Sequence, residues 1–350
     1  MIKKTSKLKL SMKLALAFGA FILFIGGITS GKYVWRFMGN NVTDKAEYLY
    51  IPTGSTYADL LALLKEQELL KDTASFTWAA EKMSFGNKIK PGKYRLSAGM
   101  SNRRLINMLK SGNQEPVKLH FQNIRLKENF VVMVSKKLEA DSLSMSKLLD
   151  SNEFVQAYGF TPDNVYTLFI PNSYEFYWNT NAKTFITKMF ENYQQFWNEE
   201  RIGKAKKINL SPTEVSILAS IVDSEALIDR EMPIIAGLYL NRLNQGIKLE
   251  ADPTVIFANN DFTIRRVLNK HLRKESPYNT YMHTGLPPGP ISMPSIAAID
   301  AVLNAKTHNY IFMCAKEDFS GTHNFARNLG EHLANAKRFQ QALNDRNIKK

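Results

Sequence analysis

The residue best placed to do chemistry is Glu225, in the stretch Ser211–Ala226, SPTEVSILASIVDSEA. If that stretch is helical, Val215, Leu218, Ile221 and Val222 share one face, and Glu225, seven residues after Leu218, falls in the same apolar stripe. Burial disfavours the ionised form of a carboxyl and raises its pKa, which keeps a proton available for general acid catalysis near neutral pH. Asp223 falls roughly opposite, beside Ser216 and Ser220. A Glu close to a helix end can also reach solvent or pair with an arginine, so the helix alone leaves both readings open. Asp252 is a further acid downstream, though its place before Pro253 equally fits a turn. Metal and nucleophile chemistry find no pattern. The six histidines form no HExxH, and there is no CxxC, G-x-S-x-G or phosphate-binding glycine loop, so neither a metal nor a cofactor is expected. His323 and His332 stand alone, each able to line a cleft or to serve as a structural residue.

The elements that must position these groups are partly written in local signals. Ser211 and Glu214 make a capping box, with Pro212 at the first helical position. Asp229 is expected to cap a second helix reaching Leu243, ended by Asn244-Gln-Gly246. Three loops then follow in sequence: Ala251–Thr254, Ser276–Tyr281 and Gly285–Pro290. Irregular stretches this rich in rigid and polar residues, inside a domain, point to a cleft. A helix from Pro294, a strand over Tyr310–Ala315, a turn at Gly321, a strand over Thr322–Phe325 and a polar C-terminal helix complete the domain. Upstream, the spacing predicts a strand at Val117–Phe121, a helix at Glu128–Leu138, a strand-like run ending in a turn over Phe169–Tyr174, and an amphipathic helix from Lys183. The lone Cys314, in the apolar run YIFMCA, excludes an intramolecular disulfide and reads as buried.

The N-terminal part has a different character. Lys3, Lys4, Lys7, Lys9 and Lys13 precede Leu14–Gly31, a run of 18 residues without charge, and Tyr33, Trp35 and Arg36 follow. This predicts a basic tail over 1–13 in the cytoplasm and a membrane anchor over 14–36, with the remainder outside. A cleaved signal peptide is the competing reading, but no small-x-small cleavage site follows the run. Next comes an internal repeat. Ile51-Pro-Thr-Gly54-Ser-Thr56 leads into Leu60 and Leu64, and forty-five residues later Leu96-Ser-Ala-Gly99-Met-Ser101 leads into Leu105 and Leu109. Each copy predicts a short strand, a glycine turn, a hydroxyl cap and a helix, which together make a small α+β module over 45–115. Such a module could act as a spacer or as a binding unit. The net charge of +14 favours an acidic polymer or anionic surface as partner, yet the basic residues match no nucleic-acid motif.

The runs ILASIVDSEA, AGLYLNRL, ADPTVIF, SPYNTYMHTGLPPGPI and GTHNF, in that order, resemble the YceG-like family. The resemblance implies an α+β protein with a single N-terminal transmembrane helix, a LysM-like module and a larger catalytic domain over 116–350. It also implies a lytic transglycosylase that cuts inside peptidoglycan glycan strands and leaves 1,6-anhydro-N-acetylmuramic acid ends, with peptidoglycan synthases (penicillin-binding proteins) as possible partners. The family's catalytic Glu, second acid of a Glu-x-Glu pair, corresponds to Glu225, and the first acid is replaced by Asp223. Asp252, Thr254, Tyr278, Asn279, Tyr281, Pro288, Gly289 and His323 are the residues expected to contact sugar. The family's Pro-Asp-Thr-Tyr turn reads Pro171-Asn172-Ser173-Tyr174 here, which removes a carboxylate at Asn172. A wall-binding or scaffold protein without chemistry is the rival reading, and it would tolerate Gln at position 225.

Overall fold

The structure is a computed structural model that describes residues 3–346 other than 46 and 87; positions 1–2 of the expected tail and 347–350 of the expected catalytic domain lie outside the described residues. The chain divides into two compact units, Met1–Val117 with Phe176–Asn179, and Lys118–Glu175 with Thr180–Lys350. A short return segment, Phe176–Asn179, joins the first unit, and no local signal marks it.

The first unit opens with α1 (Lys3–Met38), whose portion Met12–Met38 is long and apolar enough to cross a membrane. The helix begins at Lys3 and so runs through the basic segment expected to be a tail. It is followed by β1 (Tyr48–Ile51), α2 (Tyr57–Glu66), α3 (Thr73–Lys82), β2 (Gly92–Arg95) and α4 (Asn102–Ser111). The repeat is visible in three dimensions. Gly54 and Gly99 both take positive φ, Thr56 caps α2 and Ser101 caps α4, and Leu60, Leu64, Leu105 and Leu109 are buried in one core. The two strands pair antiparallel, Tyr48 with Arg95 through Ile51 with Gly92, so each copy completes the other. A buried amide network holds the halves: Asn41 Nδ2 donates to Asn102 Oδ1 (2.7 Å), and Asn102 Nδ2 donates to Ser75 Oγ (3.0 Å).

The second unit contains β3 (Val117–Phe121), α5 (Lys127–Ser135), α6 (Ser142–Leu149), α7 (Asn152–Gln156), β4 (Asn172–Phe176), α8 (Ala182–Phe196) and α9 (Glu199–Lys207). After these come α10 (Pro212–Glu225), α11 (Met232–Asn244), α12 (Asp252–Asn259), α13 (Asn269–Leu272), α14 (Ile296–Leu303), β5 (Phe312–Ala315), β6 (His323–Ala326) and α15 (Leu329–Asp345). β3 pairs with β4 and β5 with β6, each a two-stranded sheet.

Four local expectations are corrected. The run before Asn172 is a 3-10 turn over Val165–Leu168, and the strand starts at Asn172. Asp229 opens a short 3-10 turn and does not cap α11, which begins at Met232 with Pro233 in its first turn. Asp252-Pro253-Thr254 is the first turn of α12, since proline is as well suited to a helix start as to a loop. Finally, α10 is buried on every side from Val215 to Val222, including Ser216 and Ser220, and its packing partners include α11, α12 and α14. The serines tolerate burial because each hydroxyl donates to a carbonyl of its own helix, Ser216 to Pro212 O (3.0 Å) and Ser220 to Ile217 O (2.7 Å).

Candidate active site

The capping box at Ser211 and Glu214 starts α10 as the sequence predicts, and the helix ends on Glu225 at the wall of an open cleft of about 320 Å³. Asp252, at the start of α12, Tyr281 and His323 line the same cleft, as do Tyr239 and Arg242 from α11. Glu225 keeps some solvent-facing surface as a cleft residue, but its carboxyl is crowded. Burial and then the nearby negative charge of Asp252 push its pKa up to about 7, while a hydrogen bond from the Tyr239 hydroxyl (3.3 Å) acts in the opposite direction. The apolar neighbours on its own helix are therefore only part of the cause. Across the cleft the Tyr281 hydroxyl donates to Asp252 Oδ1 (2.7 Å), and burial followed by that contact raises the Tyr281 pKa well above its ordinary range.

The supporting structure is dense. Arg242 donates from Nε to Lys248 O (2.7 Å) and from Nη1 to Ile311 O (2.7 Å), and it pairs with Glu250 through Nη2. Gly237 lets this helix approach the chain after α14: a Cβ there would lie 2.2 Å from Lys306 O. His323 is held by buried Glu231, which accepts from the His323 backbone N–H (2.9 Å) and lies 3.0 Å from Nδ1.

The other residues expected to contact sugar lie elsewhere. Thr254 and Asn279 are fully buried. Thr254 Oγ1 sits 2.8 Å from Thr280 Oγ1, and Asn279 Nδ2 donates to Leu272 O and Lys274 O (2.9 and 2.7 Å). Both brace the cleft from behind, because Thr280 also receives the Ala251 N–H (3.0 Å) and so ties the α12 start to the loop bearing Tyr281. Tyr278 packs on Phe257 with ring centroids 4.7 Å apart, and burial pushes its pKa up to about 12. Pro288 and Gly289 do not line the cleft. Gly289 lies against the Asp163 carbonyl, where a Cβ would come within 2.0 Å. Cys314, expected to be buried, is half-buried and lines the cleft, as does His332, which stacks on Phe312 at 5.1 Å. Sequence reasoning assigned no role to Tyr239, Arg242, Glu250 or Glu231. For Tyr239 and Arg242 the available signal was AGLYLNRL itself, a helix with a polar pair among apolar residues; Glu231 and Glu250 lie outside it. Among the described residues, no group of three or more His, Cys, Asp or Glu side chains could hold a metal ion.

A family model described as the YceG-like family matches residues 49–338. The chain belongs to the YceG-like family. Among proteins similar to it is one from Bacillus subtilis (strain 168) named endolytic murein transglycosylase, 27% identical over 315 residues that cover 85% of each chain. Another of the same name, from Streptococcus pneumoniae serotype 2, is 24% identical over 90% of this chain, which spans only 64% of that relative's length. The crystal structure of a YceG-like protein from Listeria monocytogenes superposes with a TM-score of 0.53 at 25% identity, covering 82% of this chain and 98% of the other. The mixed α+β architecture is thus that of the YceG-like fold.

Proposed function

We propose that this YceG-like chain is an endolytic lytic transglycosylase that cleaves the N-acetylmuramic acid–N-acetylglucosamine bond inside peptidoglycan strands. The observation that carries the reading is Glu225, an acid with a pKa of about 7 on the wall of a cleft, in a chain whose relatives bear that activity in their names. Protonated Glu225 donates to the glycosidic oxygen as the bond from C1 to O4 breaks. The resulting carboxylate then takes the proton of the sugar's own 6-hydroxyl as its oxygen bonds to C1. Glu225 ends protonated again and no water is consumed. One residue serves as acid and then base, which a pKa near the working pH suits.

Tyr239 donates to Glu225 and stabilises its transient carboxylate; Asp252 disfavours that charge in the resting state and offers negative potential to the cationic sugar ring. Tyr281 orients Asp252, and Glu231 orients His323 toward substrate contact. Thr254 and Asn279 position these groups from behind.

The remaining parts of the reading follow. α1 anchors the chain once in the cytoplasmic membrane, with the basic end inside and the remainder of the first unit and the second unit outside. The N-terminal module is LysM-like and holds glycan or spaces the catalytic unit from the bilayer, and the enzyme ends strands during synthesis beside penicillin-binding synthases. Because Asp252 shares the cleft, a two-carboxylate hydrolase is the second reading. Mass spectrometry of purified strands after incubation with the full chain separates these possibilities. Internal 1,6-anhydro ends support the transglycosylase, reducing ends the hydrolase, and uncut strands a wall-binding scaffold.

A further inference from the structure

Five successive residues, Ile311 to Ala315, line the cleft that contains Glu225. Side chains on a strand alternate between the two faces of a sheet, so an unbroken run of lining residues means that the cleft takes in the outer edge of β5, where Arg242, itself a cleft residue, reaches Ile311 O, as well as the faces on which His323 and His332 stand. The register identifies which main-chain groups point into it. Lys316 N–H donates to Thr322 O (2.9 Å), and Cys314 stands opposite Asn324, so alternate residues back from Lys316 bond to β6. Met313 and Ala315, paired with Phe325 and His323, turn their N–H and C=O groups the other way.

The outer edges of the sheet are treated differently. On β6, the outward N–H of His323 is taken by Glu231. On β5, Ile311 O is taken by Arg242, and Ala315 is exposed and Met313 half-buried. Among the described residues no hydrogen bond reaches the outward groups of Met313 or Ala315. β5 has β6 as its one strand partner there, and the helix that packs closely on it, α15, also packs on β6 and so covers a face of the sheet. An open edge is a template for another extended backbone.

We infer that the outer edge of β5 at Met313 and Ala315 binds the peptide stem of peptidoglycan as an added strand. This rests on the transglycosylase reading, because the stem hangs from the lactoyl group of the muramic acid whose C1 is attacked and is therefore delivered to the same cleft. The two open positions are about 6.8 Å apart, one strand repeat, which matches the lactoyl–alanyl segment. The γ-linked second residue of the stem breaks the regular spacing, so a longer edge would gain nothing. The same contact would select strands that still carry stems over stripped ones.

Two measurements on the full chain in detergent test this. Hydrogen–deuterium exchange is followed with N-acetylmuramoyl-L-alanyl-D-isoglutamine and, as control, with N-acetylmuramic acid. Protection of about tenfold at 311–316 with the first and none with the second is expected. Equal protection by both, or none by the first, overturns the inference, and this arm decides even if the chain cuts nothing. Strand cleavage then compares kcat/KM on stem-bearing and amidase-stripped glycan. A preference of about tenfold for stems is expected in the parent and in Met313→Leu, collapsing towards one in Met313→Pro, which removes an edge N–H that β6 does not use. Parity in the parent, or a preference retained by Met313→Pro, overturns it as well. Loss of all cleavage with stem-specific protection intact would instead sink the transglycosylase reading alone.

Discussion

Two carboxylates two residues apart on α10 have opposite fates. Asp223 meets donors: Ser295 N–H and Ser295 Oγ both donate to it at 2.9 Å, and Ser295 in turn caps α14 by accepting from Ala298 N–H (3.1 Å). Its lone pairs are spent on joining two helices. Glu225 is crowded by burial and faces the negative field of Asp252, and its one hydrogen-bond donor, the Tyr239 hydroxyl at 3.3 Å, does not offset them, so it holds its proton to about pH 7. Surroundings, burial first and then neighbouring charge and the supply of donors, and not residue type or helix, separate a structural acid from a reactive one.

The largest effect expected from this contrast is on turnover. Glu225→Gln keeps the shape but cannot exchange a proton, so kcat/KM on glycan strands should fall on the order of 10⁴-fold, and a loss under about tenfold would break the comparison. The same variant should change stability in the other direction. A folded pKa of about 7 against an ordinary 4.5 gives Glu225 a stabilising contribution that is complete below the lower value and lost as pH rises through the upper one. Relative to pH 4.5, unfolding above pH 7 should therefore lose on the order of 1–3 kcal/mol in the parent, less the screening its partial exposure allows, and Glu225→Gln should lack that decline. Denaturant titrations at both pH values would show it.

Activity itself should fall above about pH 7 as the resting acid ionises. Asp252→Asn removes a charge that raises the Glu225 pKa, so the descending limb should move to lower pH; an unmoved limb would mean the two acids do not communicate. The smallest effect belongs to Asp223→Asn: about 1 kcal/mol of stability through the α14 cap, with turnover within about tenfold of the parent. A larger catalytic loss would place Asp223 in the reaction after all.

Much of the scaffold was legible because its signals are local. The capping box at Ser211 and Glu214, the glycine turns at 54 and 99 and the strand at Val117–Phe121 depend on residues a few positions apart. Glu225 was legible for the same reason, as an acid in apolar company. What stayed hidden depends on neighbours distant in sequence. Periodicity suggested a polar face at Ser216 and Ser220, yet both are buried, because intrahelical hydrogen bonds silence their hydroxyls. Tyr239 lies on a helix buried almost all round, where spacing cannot say which side meets the cleft. Thr254 and Asn279 looked like sugar ligands in motifs dense with polar groups, but they are fully buried and bonded to protein partners.

The burial of α10 on all sides also has a consequence for time. A helix wrapped by its neighbours cannot fray in its middle without opening the surrounding core, so its amides from Val215 to Val222 should exchange with solvent only when the whole unit unfolds. The acid at its end is thus mounted on an element whose middle opens only with the unit, and whatever breathing admits a polymer must come from the other walls of the cleft.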